Sequence, residues 1–178
     1  QLQALRARLP RATWHHYEPA GRDNARAGSR LAFGEYVETR YDFSKCDVIL
    51  SLDADFLFHG PGNVRYAREF ADKRRVRQGQ ASMNRLYMVE STPSVTGAMA
   101  DHRLALGPSA IPLLARRIAA RVGILRGVNA PATTASATDK WIEAVAADLE
   151  LHRGTCLVVA GEGQPPVVHA LAHAMNES

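Results

Sequence analysis

The chain has 178 residues, of which 46% are hydrophobic and 22% charged, and it carries a formal net charge of +4. This length fits a single domain with a buried core. No stretch approaches the ~18 consecutive apolar residues that a membrane-spanning helix needs, so we expect no direct membrane insertion. The densest basic cluster, Lys73, Arg74, Arg75 and Arg77, lies at a predicted helix end and lacks interleaved aromatic residues, so we expect no nucleic-acid partner.

The first half of the chain alternates predicted helices and strands. In order, these are a helix over 1–9, a short strand over 13–17, a polar helix over 23–33, an apolar strand over 47–52 and a helix over 61–75. Pro61 suits the first turn of the last helix. Its buried face is predicted to comprise Val64, Ala67, Phe70 and Ala71.

The second half continues the alternation. It begins with a strand over 85–90, an irregular or briefly helical segment over 94–101, a short strand over 102–106 and a helix over 108–122. A loop over 127–137 follows, then a helix capped by Ser136 or Thr138, a strand over 155–160 and a final helix through 168–175. Strands separated by helices of this length imply right-handed βαβ crossovers. The sequence therefore predicts an α/β fold of three layers, with a mainly parallel sheet flanked by helices.

Cys46 and Cys156 are the only two cysteines. An iron–sulfur cluster needs about four thiolates, and a zinc knuckle needs closely spaced ones. We therefore expect two small buried thiols, and no cluster within this chain.

The apolar strand ends directly in Asp53-Ala54-Asp55. Alternate carboxylates at the end of a parallel strand suit Mg²⁺ or Mn²⁺ beside a diphosphate, which would indicate a metal-dependent glycosyl or nucleotidyl transferase. The alternative is that one Asp caps the following turn while the other faces solvent. Leu57 stands where an Asp-x-Asp-x-Thr phosphatase has threonine, which disfavours that class.

Two glycine pairs precede predicted helices, where backbone N–H groups can bind anions. Gly60-Pro61-Gly62 lacks the third glycine of a dinucleotide fingerprint, because Arg65 stands there, and it favours a plain helix start. Gly161-Glu162-Gly163 carries a glutamate that would repel phosphate but suits a ribose or a pterin amine. His169 and His173 share one helix face without the metalloprotease glutamate, so we expect ordinary histidines.

Two strings carry a resemblance to a known family. They are Asp47-Val48-Ile49-Leu50-Ser51-Leu52-Asp53-Ala54-Asp55, and Leu86-Tyr87-Met88-Val89-Glu90-Ser91-Thr92-Pro93 with its continuation to residue 101. Their order, each followed by a helix, resembles the α/β half of molybdopterin oxidoreductases. That family usually has a Gly-x-Asn-Pro loop, then Asp-Pro-Arg, then a Pro-Gly-x-Asp helix start. Ala100-Asp101 and Pro108 match this family pattern.

The departures from the family pattern lie at its cofactor loops. Leu52-Asp53-Ala54-Asp55 replaces the glycine loop, Glu90-Ser91-Thr92-Pro93 replaces Asp-Pro-Arg, and Ser109-Ala110 replaces Gly-x-Asp. The lost glycine brings side chains into the space of the pyrophosphate, and the added carboxylates would repel it. The resemblance therefore implies a domain that does not bind the bis-pterin cofactor.

These departures, with the strings at 83–87, 90–103 and 160–172, most resemble one branch of the family. It is the large iron–sulfur subunit of alternative complex III, a bacterial quinol:cytochrome c or quinol:oxidase reductase, and relatives are also called iron–sulfur-cluster-containing hydrogenase components. The resemblance covers about residues 13 to 176. It implies that residues 1–178 are one α/β domain of a longer multidomain subunit, whose iron–sulfur clusters lie outside this chain.

The resemblance implies a scaffold role within an electron-transfer complex on the periplasmic face of the bacterial inner membrane. The implied partners are the cluster domain, a heme c subunit and a quinol-binding membrane subunit. No catalytic residue, metal ligand or cofactor is expected in this chain. The alternative is a genuine molybdopterin- or nucleotide-binding oxidoreductase fragment, in which the ligand would lie among Asp53, Asp55, Glu90, Ser91, Thr92 and Gly161.

Overall fold

A computed structural model describes residues 2–15, 17–18, 20–76, 82–125 and 136–178. The helices are α1 (Leu2–Arg8), α2 (Asp23–Phe33), α3 (Asn63–Lys73), α4 (Val95–Ala98), α5 (Ile111–Arg121), α6 (Ala137–Leu151) and α7 (Pro166–Asn176). The strands are β1 (Val48–Leu52), β2 (Arg85–Glu90), β3 (His102–Ala105) and β4 (Cys156–Ala160). Single 3₁₀ turns occupy Phe43–Lys45 and Pro108–Ala110. Helices cover both faces of a parallel sheet, so the predicted three-layer α/β class is confirmed.

The sheet has the strand order β3-β2-β1-β4, and all neighbouring strands are parallel. β1 is central, with Val48 opposite both Arg85 of β2 and Cys156 of β4. All of β1 is buried, which is why it reads as a continuous apolar run. The strand order reverses between β1 and β4. At such a point the loops that follow the two strands diverge and leave a crevice at the carboxyl edge of the sheet.

One face of the sheet packs against α5, α6 and α7. The residues of α5 that are buried are Ile111, Leu114, Ala115, Ile118 and Ala119, with Val122 buried just beyond the helix. In α7, Val168, Leu171, Ala172 and Met175 are likewise buried. Ser136 is the N-cap of α6 and forms a capping box with Asp139, so Ser136 is the correct one of the two predicted caps.

The other face of the sheet carries a smaller, aromatic cluster beneath α3. Ile49 of β1 contributes to it, together with Phe43 and Phe56. The rings of these two phenylalanines stack with their centroids 4.4 Å apart. Aromatic rings bury a large apolar area each, so few residues cover this face.

The face predicted for α3 is confirmed at Phe70 but was wrong at Val64 and Ala71, which are exposed, and it missed Tyr66. Val64 is 79% exposed, whereas Tyr66 and Phe70 are buried against the aromatic cluster. The helix also begins later than predicted, at Asn63, because Gly62 takes a left-handed conformation (φ 89°) as its N-cap. Two rings that pack on other rings outweigh a single valine in buried apolar area.

The second helix, predicted with the correct bounds, packs closely along α7. A Cβ at Gly28 would lie 2.3 Å from the Cβ of His169 and 2.8 Å from the carbonyl oxygen of Pro166. The absence of a side chain at Gly28 therefore sets the distance between α2 and α7. This contact holds the start of α2 and His169 beside the crevice.

The strand predicted over 13–17 was wrong. The described residues of that segment, 13–15 and 17, are exposed and have no regular secondary structure. A strand without neighbours has no hydrogen-bond partners for its backbone, so β-prone residues alone do not form one. The loop predicted over 127–137 lies mostly outside the described residues, and its last residue, Ala137, begins α6. No helix in the described part of the chain is long and apolar enough to cross a membrane.

Candidate functional site

A cavity of about 280 Å³ lies at the crevice between β1 and β4. Residues 53–56, which follow β1, and residues 159–162, at the end of β4, line it together with parts of α2 and α7. Its aromatic lining comprises Tyr36, Tyr41, Phe56 and Tyr66. Its charged and histidine lining comprises Arg22, Arg26, Asp53, Asp55, His59, Glu162, His169 and His173. Open α/β sheets place their ligands at this position, which makes the cavity the candidate site.

Asp53 joins the ends of three strands. Its Oδ1 accepts a hydrogen bond from the backbone N–H of Ser91 at 3.2 Å, and its Oδ2 accepts one from the Nε2 of Gln164 at 3.0 Å. Its φ of 61° lies in the left-handed region, which aspartate tolerates better than most residues. Both carboxylate oxygens of Asp53 are therefore engaged in holding the loops after β1, β2 and β4 together.

Asp55 joins the loop after β1 to α4. Its Oδ1 accepts hydrogen bonds from the backbone N–H and the hydroxyl of Thr96, at 2.9 and 2.7 Å. The hydroxyl oxygen of Thr96 in turn accepts a bond from the N–H of Leu57 at 3.1 Å. The prediction that one Asp caps the following turn while the other faces solvent was wrong, because Asp53 and Asp55 are both half-buried and bind other segments.

Gly161 forms the base of the cavity through its backbone. Its N–H donates to the carbonyl oxygen of Leu52 at 2.9 Å. A Cβ at this position would lie 2.0 Å from the carbonyl oxygen of Asp53. The glycine is thus required by the close crossing of two loops.

Glu90 lies away from the cavity. It is 1% exposed, and its carboxylate accepts a hydrogen bond from the hydroxyl of Ser94 at 2.6 Å and pairs with Arg103 of β3. The backbone of Gly97 packs directly on this carboxylate. Glu90 therefore anchors α4 to the sheet.

Ser91 and Thr92 are exposed and do not line the cavity. Ser91 contributes its backbone N–H to Asp53. Of the six predicted site residues, the structure brings Asp53, Asp55 and Gly161 to the cavity.

Arg22 closes one side of the cavity, and the sequence did not single it out. Its Nη1 lies 2.9 Å from the Oε1 of Glu38, and its Nε lies 3.2 Å from the Oε1 of Glu162. The hydrogen bond to Glu38 raises the pKa of Arg22, so the guanidinium stays charged. It therefore links the segment that follows α2 to the turn between β4 and α7.

His169 is 6% exposed, and its Nε2 has no hydrogen-bond partner among the described residues. The pKa of His169 is lowered to about 4, mainly by burial and also by the charges of His173 and Arg22. Hydrogen bonding to the backbone of Gln164 and Gly161 acts in the opposite direction. Burial also lowers the pKa of His173. Both histidines are therefore neutral near pH 7 and line the same cavity.

Gly60 and Pro61 line the cavity, although α3 itself starts only at Asn63. The N–H of Asn63 donates to the carbonyl oxygen of Gly60 at 3.4 Å. Gly60 and Pro61 therefore precede the helix, and the prediction that Pro61 stands in its first turn was wrong.

The basic cluster at the end of α3 is engaged in ion pairs. The Nζ of Lys73 lies 2.7 Å from the Oδ1 of Asp47, and Arg74 pairs with Asp101. Arg77 lies outside the described residues. These cations hold α3 against the neighbouring strand ends.

The prediction of two buried thiols is confirmed for Cys46 and wrong for Cys156, which is half-buried, and both thiols are free. Burial raises the pKa of Cys46 to about 12, so it remains protonated. Within the described ranges, no group of three or more histidine, cysteine, aspartate or glutamate side chains is arranged to hold a metal ion.

Comparison with known proteins gave no family model and no curated protein that matches this chain. Its function is therefore inferred from the fold and from the residues that line the crevice.

Proposed function

We propose that this chain is a scaffold domain of an electron-transfer subunit and itself holds no pterin cofactor. It is similar to the molybdopterin-like domain of the alternative complex III iron–sulfur subunit. The observation that carries this proposal is that the carboxylates in the crevice bind other loops of the same chain. Asp53 and Asp55 accept hydrogen bonds from Ser91, Gln164 and Thr96, so they connect loops of the same chain.

The crevice does not fit the pyrophosphate of a pterin dinucleotide. Asp53, Asp55 and Glu162 all line it, and a pyrophosphate there would meet their negative charges in a partly desolvated space. The backbone N–H of Ser91, which lies at the neighbouring strand end, already donates to Asp53. The same features argue against the alternative of a nucleotide-binding oxidoreductase fragment.

Under this proposal, the redox groups belong to other parts of the complex. Two cysteines, one of them buried, cannot supply the about four thiolates of an iron–sulfur cluster. The clusters would lie in a ferredoxin-like domain, with a heme c subunit and a quinol-binding membrane subunit as further partners on the periplasmic side. The α/β domain would supply a rigid packing surface for them.

The test combines elemental analysis and a pterin assay on the purified chain with inspection of the reading frame that encodes it. We expect neither molybdenum nor pterin in stoichiometric amounts, and Cys-x-x-Cys-x-x-Cys runs downstream in the frame. Stoichiometric molybdenum and pterin would overturn the proposal in favour of a catalytic half-site. If the complete reading frame encodes no such cysteine runs, the proposed electron-transfer role is contradicted.

The transferase alternative makes a different prediction, namely Mn²⁺-dependent UDP binding that Asp55→Ala abolishes. Because Oδ1 of Asp55 is engaged by Thr96, we expect calorimetry on the unmodified chain to detect no such binding. Asp55→Asn serves as the milder variant, since an amide retains an oxygen acceptor. Binding of UDP that requires both Mn²⁺ and Asp55 would establish the transferase instead.

A further inference from the structure

We infer that the crevice cavity binds a small, uncharged ring molecule that donates an N–H hydrogen bond to the Nε2 of His169. The inference is independent of the scaffold proposal, because a domain with or without redox partners can carry such a site. The volume of about 280 Å³ lies just below the usual range of small-ligand pockets, ~300–1,000 Å³. The cavity therefore suits a single ring or a small bicyclic molecule and is too small for a dinucleotide.

The first support is the unpartnered nitrogen of His169. Buried polar atoms are nearly always hydrogen-bonded, yet Nε2 has no partner among the described residues, and its ring lines the cavity. A neutral histidine ring has one protonated and one unprotonated nitrogen, and in the tautomer with the proton on Nδ1 the lone pair of Nε2 is an acceptor. A ligand donor is the group that this atom lacks.

The second support is the balance of charge around the cavity. An anion would meet Asp53, Asp55 and Glu162, and a cation would meet Arg22 and Arg26. Arg22 is already paired with Glu162 at 3.2 Å, so these two charges compensate each other. An anion would therefore lose hydration against the carboxylates of Asp53 and Asp55, which already accept hydrogen bonds within the chain, whereas an uncharged molecule avoids this cost.

The third support is the flat aromatic lining. The rings of Tyr41 and Tyr66 lie 5.9 Å apart and are tilted by 58°. Tyr36 and Phe56 line further parts of the cavity. Planar rings pack well on such surfaces in offset or edge-to-face contacts. The lining therefore favours a planar ligand.

The test titrates the 178-residue chain with three probes and follows the ring nitrogen resonances of His169 by NMR, with calorimetry for affinity. Uracil is an uncharged ring with N–H donors, 1,3-dimethyluracil lacks those donors, and orotate adds a carboxylate. We expect millimolar uracil to shift the Nε2 resonance. The other two probes should bind at least about tenfold more weakly. An unchanged His169 ring, as expected for a cavity that holds only water, would overturn the inference, and so would equal binding of all three probes.

The matched variants are His169→Phe and His152→Gln. Phenylalanine keeps a ring of similar size and removes the acceptor, so we expect uracil binding to weaken about tenfold. His152 lies at the C-terminus of α6, at the opposite edge of the sheet, and its variant should bind uracil as the unmodified chain does. Undiminished uracil binding by His169→Phe would overturn the role of Nε2. Should that variant fail to fold, the comparison of uracil with 1,3-dimethyluracil decides the question on the unmodified chain.

Discussion

Gly161 and Asp53 approach each other so closely that a Cβ at position 161 would lie 2.0 Å from the carbonyl oxygen of Asp53. The loops after β1 and β4 cross at this contact, where the strand order of the sheet reverses. The shape of the crevice thus depends on the contact between the backbones of Gly161 and Asp53. Side chains from α2 and α7 then complete the cavity above it.

Gly161→Ala should force these two loops apart. Overpacking of this kind typically lowers the free energy of unfolding by about 1–3 kcal/mol. Gly163→Ala is the matched control, because a Cβ there would meet nothing within 4 Å. Urea denaturation of both variants measures the difference, and equal midpoints would show that the crossing adapts without cost.

Arg103→Ala should destabilise the chain because it leaves the carboxylate of Glu90 buried without its cation. Only the hydroxyl of Ser94 would remain among the side-chain partners described for that carboxylate. A lost hydrogen bond to a buried charged group is worth about 1.5–3 kcal/mol, and we expect a decrease of that size in the free energy of unfolding.

The control for Arg103→Ala is Arg121→Ala. Arg121 pairs with Glu143, and both of these side chains are about half exposed. Exposed pairs contribute at most about 1 kcal/mol, so the control should unfold nearly as the unmodified chain does. Equal losses for the two variants, measured by urea denaturation, would contradict the anchoring role of Glu90.

Gly28→Ala tests the contact between α2 and α7. In the interior of a helix, alanine is normally more stable than glycine by about 1 kcal/mol. Here its Cβ would lie 2.3 Å from the Cβ of His169, so we expect a loss of about 1–3 kcal/mol instead. Gly107→Ala is the control, since a Cβ there meets nothing within 4 Å. A gain in thermal stability for Gly28→Ala would show that the helices move apart freely.

The strands and the main helices could be predicted because their residues follow local rules. β1 is buried on both faces and reads as one apolar run, and Ile111 to Ile118 of α5 keep a helical period. The burial of Tyr66 on α3 could not be predicted in this way. Tyr66 is buried because Phe43 and Phe56 lie beneath it, and no local pattern shows that they do.

The candidate site was predictable only where a strand end defines it. Asp53 and Gly161 follow buried strands, so the rule for parallel sheets brings both to the crevice. The bond from Gln164 to Asp53 spans 111 positions, and no spacing in the sequence predicts it. Glu90 also ends a strand, but it turns into the protein because Arg103 lies on the neighbouring strand.

His169 should make the stability of the chain depend on pH. Its pKa is lowered to about 4 in the folded state, mainly by burial, and returns to about 6.5 on unfolding. Between these values, the unfolded state binds more protons than the folded state. The free energy of unfolding therefore falls as the pH drops from about 6.5 to about 4. His173 and Arg22 are the charged or titratable groups that act on this ring, and both contribute to its lowered pKa.

His169→Phe removes the titrating nitrogen and should reduce this dependence. We expect the free energy of unfolding, from urea denaturation near pH 7 and near pH 5, to fall less for the variant than for the unmodified chain. His173, whose pKa burial also lowers, should retain part of the slope in both proteins. The difference between the two slopes therefore isolates His169. Identical slopes would mean that the folded protein protonates His169 as readily as the unfolded chain, which contradicts both its burial and the acceptor role of Nε2.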